Sequence, residues 1–246
     1  MSWYEDEDLW SAFEAVMFSP DRAESARRLV AGSPLFDFPD GARVLDQCCG
    51  RGFFTVPLAG RGYAVTGVDL GAAVLDRAAL ECERAGVSAE LVRSDVLDFV
   101  RPGAFDVVVN LATCLGYFDR HEDNVQVLRN AHESLAPGGQ LVVDLLGKEI
   151  YAGWAGTPKA VAFDGGVVHL RDTVLDDWTR CRSELTLVRG DTAVHGSVTC
   201  YCYSAAELRA MFEEVGFTGV ECFGNFDGGP YDNHATRLIV RGTRAA

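Results

Sequence analysis

The run Val44-Leu45-Asp46-Gln47-Cys48-Cys49-Gly50-Arg51-Gly52, followed by a second carboxylate at Asp69, has the residue types and spacing of a ligand-binding turn. An apolar strand that ends in an acid, turns through small residues and opens a helix makes a cradle for a nucleoside-bearing cofactor. The dinucleotide fingerprint G-x-G-x-x-G needs its glycines for the tight turn, the approach of the pyrophosphate and close helix-to-strand packing. Here those positions read Cys48, Gly50 and Phe53, so the fingerprint is broken at its first and last glycine. Asp46 is also expected to carry negative charge from the strand end toward the loop, where it repels a pyrophosphate and attracts an ammonium or sulfonium ligand.

That electrostatic preference favours S-adenosylmethionine (SAM). Asp46 to Gly52 resembles the E/D-x-G-x-G-x-G signature of class I SAM-dependent methyltransferases, with Cys48 in place of the first glycine, a variant of bacterial small-molecule methyltransferases. Cysteine is small enough for the turn, provided the position does not need positive φ. Taken alone, the motif also reads as a strand followed by an ordinary glycine turn, because short glycine motifs have many false matches.

The resemblance implies roles at later strand ends. Asp69, with Leu70 beside it, would accept hydrogen bonds from both ribose hydroxyls; a carboxylate offers two oxygens to a vicinal diol, although the same residue would serve NAD. Asp95 would take the adenine amino group while the backbone N–H of Val96 meets the ring, a surface-loop acid being the alternative. Asn110 and Leu111 would lie beside the methionyl part, and the N-P-P-Y or D-P-P-Y motif of members acting on amides and nucleic-acid bases is absent there. Thr113 to Phe118 would line the region where substrate meets methyl group, with Tyr117 as a catalytic candidate or a packing residue.

Trp3-Tyr4-Glu5 and Phe223 to Tyr231 resemble patterns of a narrower bacterial group. Trp3, Tyr4 and Tyr231 are therefore expected at a lid or substrate wall, where aromatic rings cover a cation and exclude water. Helix packing is the alternative for Trp3 and the preferred reading for Trp10. Among the histidines, His234 follows a Gly-rich loop, and imidazole is a side chain suited to proton transfer, which makes it the general-base candidate; a loop histidine without a catalytic role is the alternative.

A chain of 246 residues, 48% hydrophobic and 24% charged, suits one domain with elaborations. The formal charge of -14 argues against a nucleic-acid partner, since phosphate binding needs clustered Lys and Arg. No apolar stretch reaches membrane-spanning length and the N-terminus is acidic, so a cytoplasmic protein is expected, acting on a small molecule as a monomer or homodimer. The eight cysteines contain no C-x-x-C pair and are expected to be reduced, with no metal site.

Hydrophobic patterning supplies the elements that must position these residues. Strands are expected near 42–46, 63–69, 89–93, 105–111 and 140–146, and helices near 52–59, 71–85 and 120–136, as in a parallel sheet covered on both faces. Asp119-x-x-Glu122 and Ser204-x-x-Glu207 read as capping boxes, Pro39-Asp40-Gly41 as a turn. Residues 148–203 change to long strands at Val167–Leu175, Trp178–Val188 and Thr192–Tyr203, joined by hairpin turns at Asp176-Asp177 and Gly190-Asp191. Later strands are expected near 218–223 and 236–242.

The expected molecule is a single Rossmann-like α/β domain with a seven-stranded, mostly parallel sheet whose last strand is antiparallel. Residues 1–40 form a helical lid of two helices, 41–147 the SAM-binding core, 148–203 an antiparallel β insertion, and 204–246 the last helix and strands. Its expected reaction is methyl transfer from SAM to an oxygen, nitrogen or carbon nucleophile of a small molecule, in secondary metabolism. A SAM-binding protein without methyl transfer and an NAD(P)-dependent oxidoreductase are the alternatives.

Overall fold

Near-continuous apolar runs at 43–47 and 105–110 belong to strands covered on both faces. The computed structural model describes residues 3–163 and 165–246, so Met1 and Ser2 of the expected lid lie outside the described residues. Its strands are β1 Arg43–Gln47, β2 Ala64–Asp69, β3 Glu90–Arg93, β4 Phe105–Asn110, β5 Leu135–Leu145, β6 Lys159–Phe163, β7 Gly166–Leu175, β8 Arg180–Arg189, β9 Thr192–Tyr201, β10 Phe217–Phe223 and β11 Leu238–Arg244. The main sheet has the order β10-β11-β5-β4-β1-β2-β3, and β6 to β9 form a second, antiparallel sheet. β11 runs antiparallel to both of its neighbours, whereas β1 to β5 are parallel.

The helices are α1 Glu7–Ala12, α2 Glu14–Met17, α3 Pro20–Gly32, α4 Thr55–Gly60, α5 Ala72–Ala85, α6 His121–Ser134, α7 Lys148–Ala152 and α8 Ala205–Val215. Alternation along the central strands divides the core. Leu45, Val68, Val108 and Leu141 face Leu128, Leu208 and Phe212 from α6 and α8. Val44, Val65, Val107 and Val142 face Val30, Phe36 and Leu58 on the other side.

The front of the chain forms a 3-10 turn at Trp3–Glu5 and three helices, not two. Ser19 caps α3 as Pro20 at its start requires. Phe13 is buried with Val168, Leu185 and Leu187, and Leu9, Val16 and Met17 join it, so α1 and α2 cover the inner face of the second sheet. Trp10 departs from that face and packs between Trp3 and Phe18. The short edge strand β6 was not expected. β5 begins at Leu135, ahead of the expected 140, because Leu135 pairs with Phe105 before the register shifts.

Ser204 and Glu207 make both halves of a capping box. Asp119 and Glu122 do not: α6 starts from Arg120 without a side-chain cap. Its entry is held by Asn124, which is fully buried. Asn124 Oδ1 accepts from Gly116 N–H at 2.8 Å, and its Nδ2 donates to the carbonyls of Phe118 and Arg120 at 3.2 and 3.0 Å.

The loop after β4 receives a second, stronger tie. Arg237 donates to both oxygens of Asp144 at 2.6 and 2.9 Å and to Thr113 Oγ1 at 3.0 Å. Asp144 also accepts from Ala112 N–H at 3.0 Å. Ala112 and Thr113 both have positive φ, 61° and 69°, which costs non-glycine residues energy unless neighbours over-determine it. Replacing Arg237 with Ala leaves a buried carboxylate partly unpaired and should cost about 2–4 kcal/mol, toward the lower side of a broken buried ion pair because the arginine is partly solvated. Urea denaturation measures it, with Arg237→Lys expected between the two.

Candidate active site

The sheet brings the ends of β1, β2 and β4 together, and the acids expected there follow. Asp69 is the best-prepared of them. Its Oδ2 accepts from Gly50 N–H at 2.8 Å and its Oδ1 from Gly71 N–H at 3.0 Å, so one carboxylate joins the glycine turn to the start of α5. Burial pushes its pKa up, against the pull of these backbone donors. Leu70 N–H is a third backbone donor to the same carboxylate. Leu70 beside it is 40% exposed, a bare apolar surface next to a carboxylate.

Asp46 differs from expectation. Its side chain does not project charge toward the loop but is 2% exposed and accepts from Thr55 Oγ1 at 2.6 Å. Strand alternation turns it to the α4 face, where the helix start supplies the hydroxyl. Burial, only partly offset by Thr55 and reinforced by the charge of Asp69, pushes its pKa to about 7.

The turn itself requires left-handed backbone at three points. Gly50 and Gly52 have φ of 52° and 79°, and a Cβ on Gly52 would meet Ala78 Cβ and Val56 Cγ2 at 3.3 Å. Cys48 also has positive φ, 58°, so the condition for tolerating cysteine is not met and the position carries backbone strain. Nor is Cys48 reduced: it forms a disulfide with Cys114, their Cα atoms 6.4 Å apart. The two cysteines are 66 residues apart in sequence, but their loops follow adjacent parallel strands. The six other cysteines are free thiols, as expected.

Asp95 spends one oxygen on Leu97 N–H at 2.9 Å in a local turn, and Val96 is buried. Asn110 is 1% exposed and its Oδ1 accepts from Leu115 N–H at 3.1 Å, so its side chain shapes the loop after β4. Its Nδ2 donates to Gln47 Oε1 at 3.4 Å, while Gln47 Nε2 is buried without a hydrogen-bond partner among the described residues. Leu111 is buried below that loop.

Tyr117 marks where the elements converge. Its hydroxyl lies within electrostatic reach of Asp69, Arg22, Arg237 and Cys200, and burial pushes its pKa far above the ordinary value. Trp3 packs edge-on against it with centroids 4.5 Å apart and donates its indole N–H to Thr199 O of β9 at 2.9 Å. Tyr4 packs on Phe118. The second sheet is fastened to the same loop, because Tyr201 N–H donates to Gly116 O at 2.7 Å and a Cβ on Gly116 would strike that tyrosine's carbonyl at 2.7 Å. Just before α3, Phe18 lies 3.6 Å from where a Cβ of Gly50 would stand, and Arg51 stacks on its ring.

Tyr231 is placed elsewhere: its hydroxyl donates to Glu149 Oε2 at 2.9 Å and lies against Gly147. His234 is exposed, its backbone N–H donating to Asp232 Oδ1 at 2.8 Å, and its imidazole has no hydrogen bond among the described residues. Sequence reading missed Asn124, Asp144 and Arg237.

Residues 44–139 match the family model described as a methyltransferase domain. Residues 44–139 form a methyltransferase domain, in a chain with the fold of SAM-dependent methyltransferases. It is 34% identical over 125 residues to a ubiquinone biosynthesis O-methyltransferase of Pseudomonas aeruginosa, covering 50% of this chain and 49% of that protein. The chain thus spans about half the length of the first curated relatives it matches. A cypemycin N-terminal methyltransferase of a Streptomyces species is 29% identical over 210 residues, 82% of each chain. A SAM-dependent methyltransferase structure from Clostridium acetobutylicum, 11% identical, superposes with a TM-score of 0.78 over 97% of this chain and 98% of that one. The methyltransferase fold therefore extends beyond the matched segment, through the N-terminal helices, the second sheet and the last strands.

The Asp46 carboxyl predicts a pH dependence. Its folded pKa of about 7 lies above the ordinary 3.8, so between these values the folded chain holds a proton that the unfolded chain has released. Its contribution to stability is complete below the lower value and is lost as pH rises through about 7, with a slope near 1.4 kcal/mol per pH unit inside the window. Unfolding free energies measured from pH 4 to 8 should show this slope in the wild type and lose it in Asp46→Asn.

Proposed function

We propose that this chain transfers the methyl group of SAM to a nucleophilic atom of a small molecule of secondary metabolism. The observation that carries the reading is Asp69, a carboxylate at the end of β2 whose two oxygens are fixed by Gly50 and Gly71 beside the glycine turn, the position from which it would accept from a ribose hydroxyl. Nitrogen is the favoured acceptor atom, ahead of oxygen and carbon. The relative matching most of its length is named as an N-terminal methyltransferase, while the O-methyltransferases match over half. The proposal extends to a cytoplasmic monomer or homodimer. No helix among the described residues is long and apolar enough to cross a membrane.

The residues present fit this cofactor. SAM supplies a methyl group already activated by its sulfonium, so the chain's task is to position, orient and exclude water. Asp69 accepts from the ribose, Leu70 offers apolar surface to the adenine, the backbone N–H of Val96 meets the ring, and Asp95 keeps one carboxylate oxygen for the adenine amino group. Asn110 and Leu111, with Cys48, Gly50 and Gly52, shape the backbone around the methionyl end. Asp46, poised near neutrality, shifts toward its ionised form when a cation enters this low-dielectric layer. Tyr117 stays neutral and offers a hydroxyl to the acceptor, its ring held by Trp3 and its loop by Asn124 and Asp144. Trp3 and Tyr4 close the cleft against water from the lid side; Tyr231 braces α7 at its margin.

An amine acceptor must lose its proton before attack, and His234 is the base candidate. Its exposure and free imidazole give it no fixed orientation. Incubation with methyl-labelled SAM and a small-metabolite extract, followed by mass identification, should yield a labelled amine. Bound SAM with no labelled product would support a binding protein in place of an enzyme. His234→Ala should keep turnover within about threefold; a loss of about 10²–10⁴, with SAM affinity and melting temperature intact, would make His234 the base.

A further inference from the structure

The strand order reverses between β1 and β4, and the chain leaves these two neighbours on opposite faces of the sheet: α4 after β1 packs with Leu58 on one side, α6 after β4 with Leu128 on the other. In open α/β sheets the crevice at such a point takes the ligand. The Cys48–Cys114 bond is the covalent link across it. Its two ends are held unequally. Cys114 sits between Thr113, whose N–H donates to Asp144 O at 3.0 Å, and Leu115, whose N–H donates to Asn110 Oδ1 at 3.1 Å. Its own carbonyl accepts from Tyr117 N–H at 3.3 Å. Cys48 instead stands at a left-handed φ of 58°, just before Cys49 N–H meets Val68 O at 3.0 Å and Gly50 N–H meets Asp69.

A non-glycine residue keeps that backbone only where its surroundings impose it. We propose that Cys48 and Cys114 are a redox-active pair that sets cofactor affinity, an assignment that rests on the SAM reading of the cleft. The disulfide holds Cys48 against an anchored partner and presents the glycine turn ready-made. In the dithiol form Cys114 stays in place while Cys48 relaxes toward negative φ, and the turn must be forced back into shape on binding. Cys48 is partly exposed and Cys114 is buried, so a dithiol reductant attacks Cys48 Sγ. The S–S electron pair leaves with Cys114 Sγ, which takes a proton. The second thiolate of the reductant then attacks the mixed disulfide, releases Cys48 as a thiol and closes its own disulfide. A disulfide oxidant reverses these steps. In the reducing compartment proposed for this chain, the disulfides that form are usually redox-sensing or catalytic, and the six other cysteines here are free thiols.

The probes are S-adenosylhomocysteine, glutathione disulfide as oxidant and dithiothreitol as reductant, applied to the whole chain. Alkylation with mass mapping should find Cys48 and Cys114 joined after oxidation and alkylated after reduction. Calorimetry should show the oxidised form binding S-adenosylhomocysteine about 10- to 100-fold tighter than the reduced form, the size expected of one left-handed residue that must be re-formed. Cys114→Ser should bind weakly with or without dithiothreitol. Cys48→Gly, for which a φ of 58° carries no strain, should bind under dithiothreitol more tightly than the reduced wild type. Equal affinity of the two wild-type forms, no Cys48–Cys114 bond after oxidation, or a Cys48→Gly variant no tighter than the reduced wild type would overturn the proposal and leave the SAM reading standing. Failure of both wild-type forms to bind S-adenosylhomocysteine would remove the SAM reading and this assignment with it.

Discussion

The Asp69 carboxylate is the constraint from which the site is built. By accepting from Gly50 on one oxygen and Gly71 on the other, it fixes the end of β2, the turn after β1 and the start of α5 with two charge-assisted bonds. Such bonds are worth about 1.5–3 kcal/mol each in favourable settings and oppose the desolvation that raises the acid's pKa. In the proposed ribose-binding role, a carboxylate that also holds the turn arrives oriented, so little ordering is left for the cofactor to impose.

Around this fixed point the loop after β4 is held against its own preferences. Positive φ at Ala112 and Thr113 costs on the order of 1–3 kcal/mol per residue, and three buried polar side chains offset it. Asn110 takes Leu115 N–H, Asn124 takes Gly116 N–H, and Asp144 takes Ala112 N–H while paired with Arg237. The disulfide from Cys48 ties this loop to the glycine turn. Tyr117 is then presented on a loop with little freedom, with Trp3 packed against its ring. Rigid walls suit a reaction in which the leaving sulfonium is already activated and geometry carries most of the barrier reduction.

What could be read in the sequence was local. The Asp46–Gly52 run, Asp69 and the strand-helix alternation are short-range patterns, and the parallel sheet, antiparallel insertion and Ser204 capping box follow from them. Contacts between distant segments were not legible. Arg237 meets Asp144 across 93 positions and Cys48 meets Cys114 across 66, and neither pair has a spacing rule until strand order is known. Asp46 shows a subtler failure: its place at the strand end was legible, but its direction depended on Thr55 standing under it at the start of α4. The Asp119 and Glu122 pattern matched a cap that the buried Asn124 made unnecessary.

The central claim is that the Asp69 cradle holds an adenosyl sulfonium cofactor and not a dinucleotide. Calorimetric titration with S-adenosylhomocysteine and with NAD, on wild type and Asp69→Ala, tests it most directly. The account predicts binding of S-adenosylhomocysteine, no measurable heat with NAD, and a loss of about 2–4 kcal/mol in the variant as two hydrogen bonds to a charged acceptor are removed. Binding of NAD without S-adenosylhomocysteine, or undiminished affinity in Asp69→Ala, would contradict it.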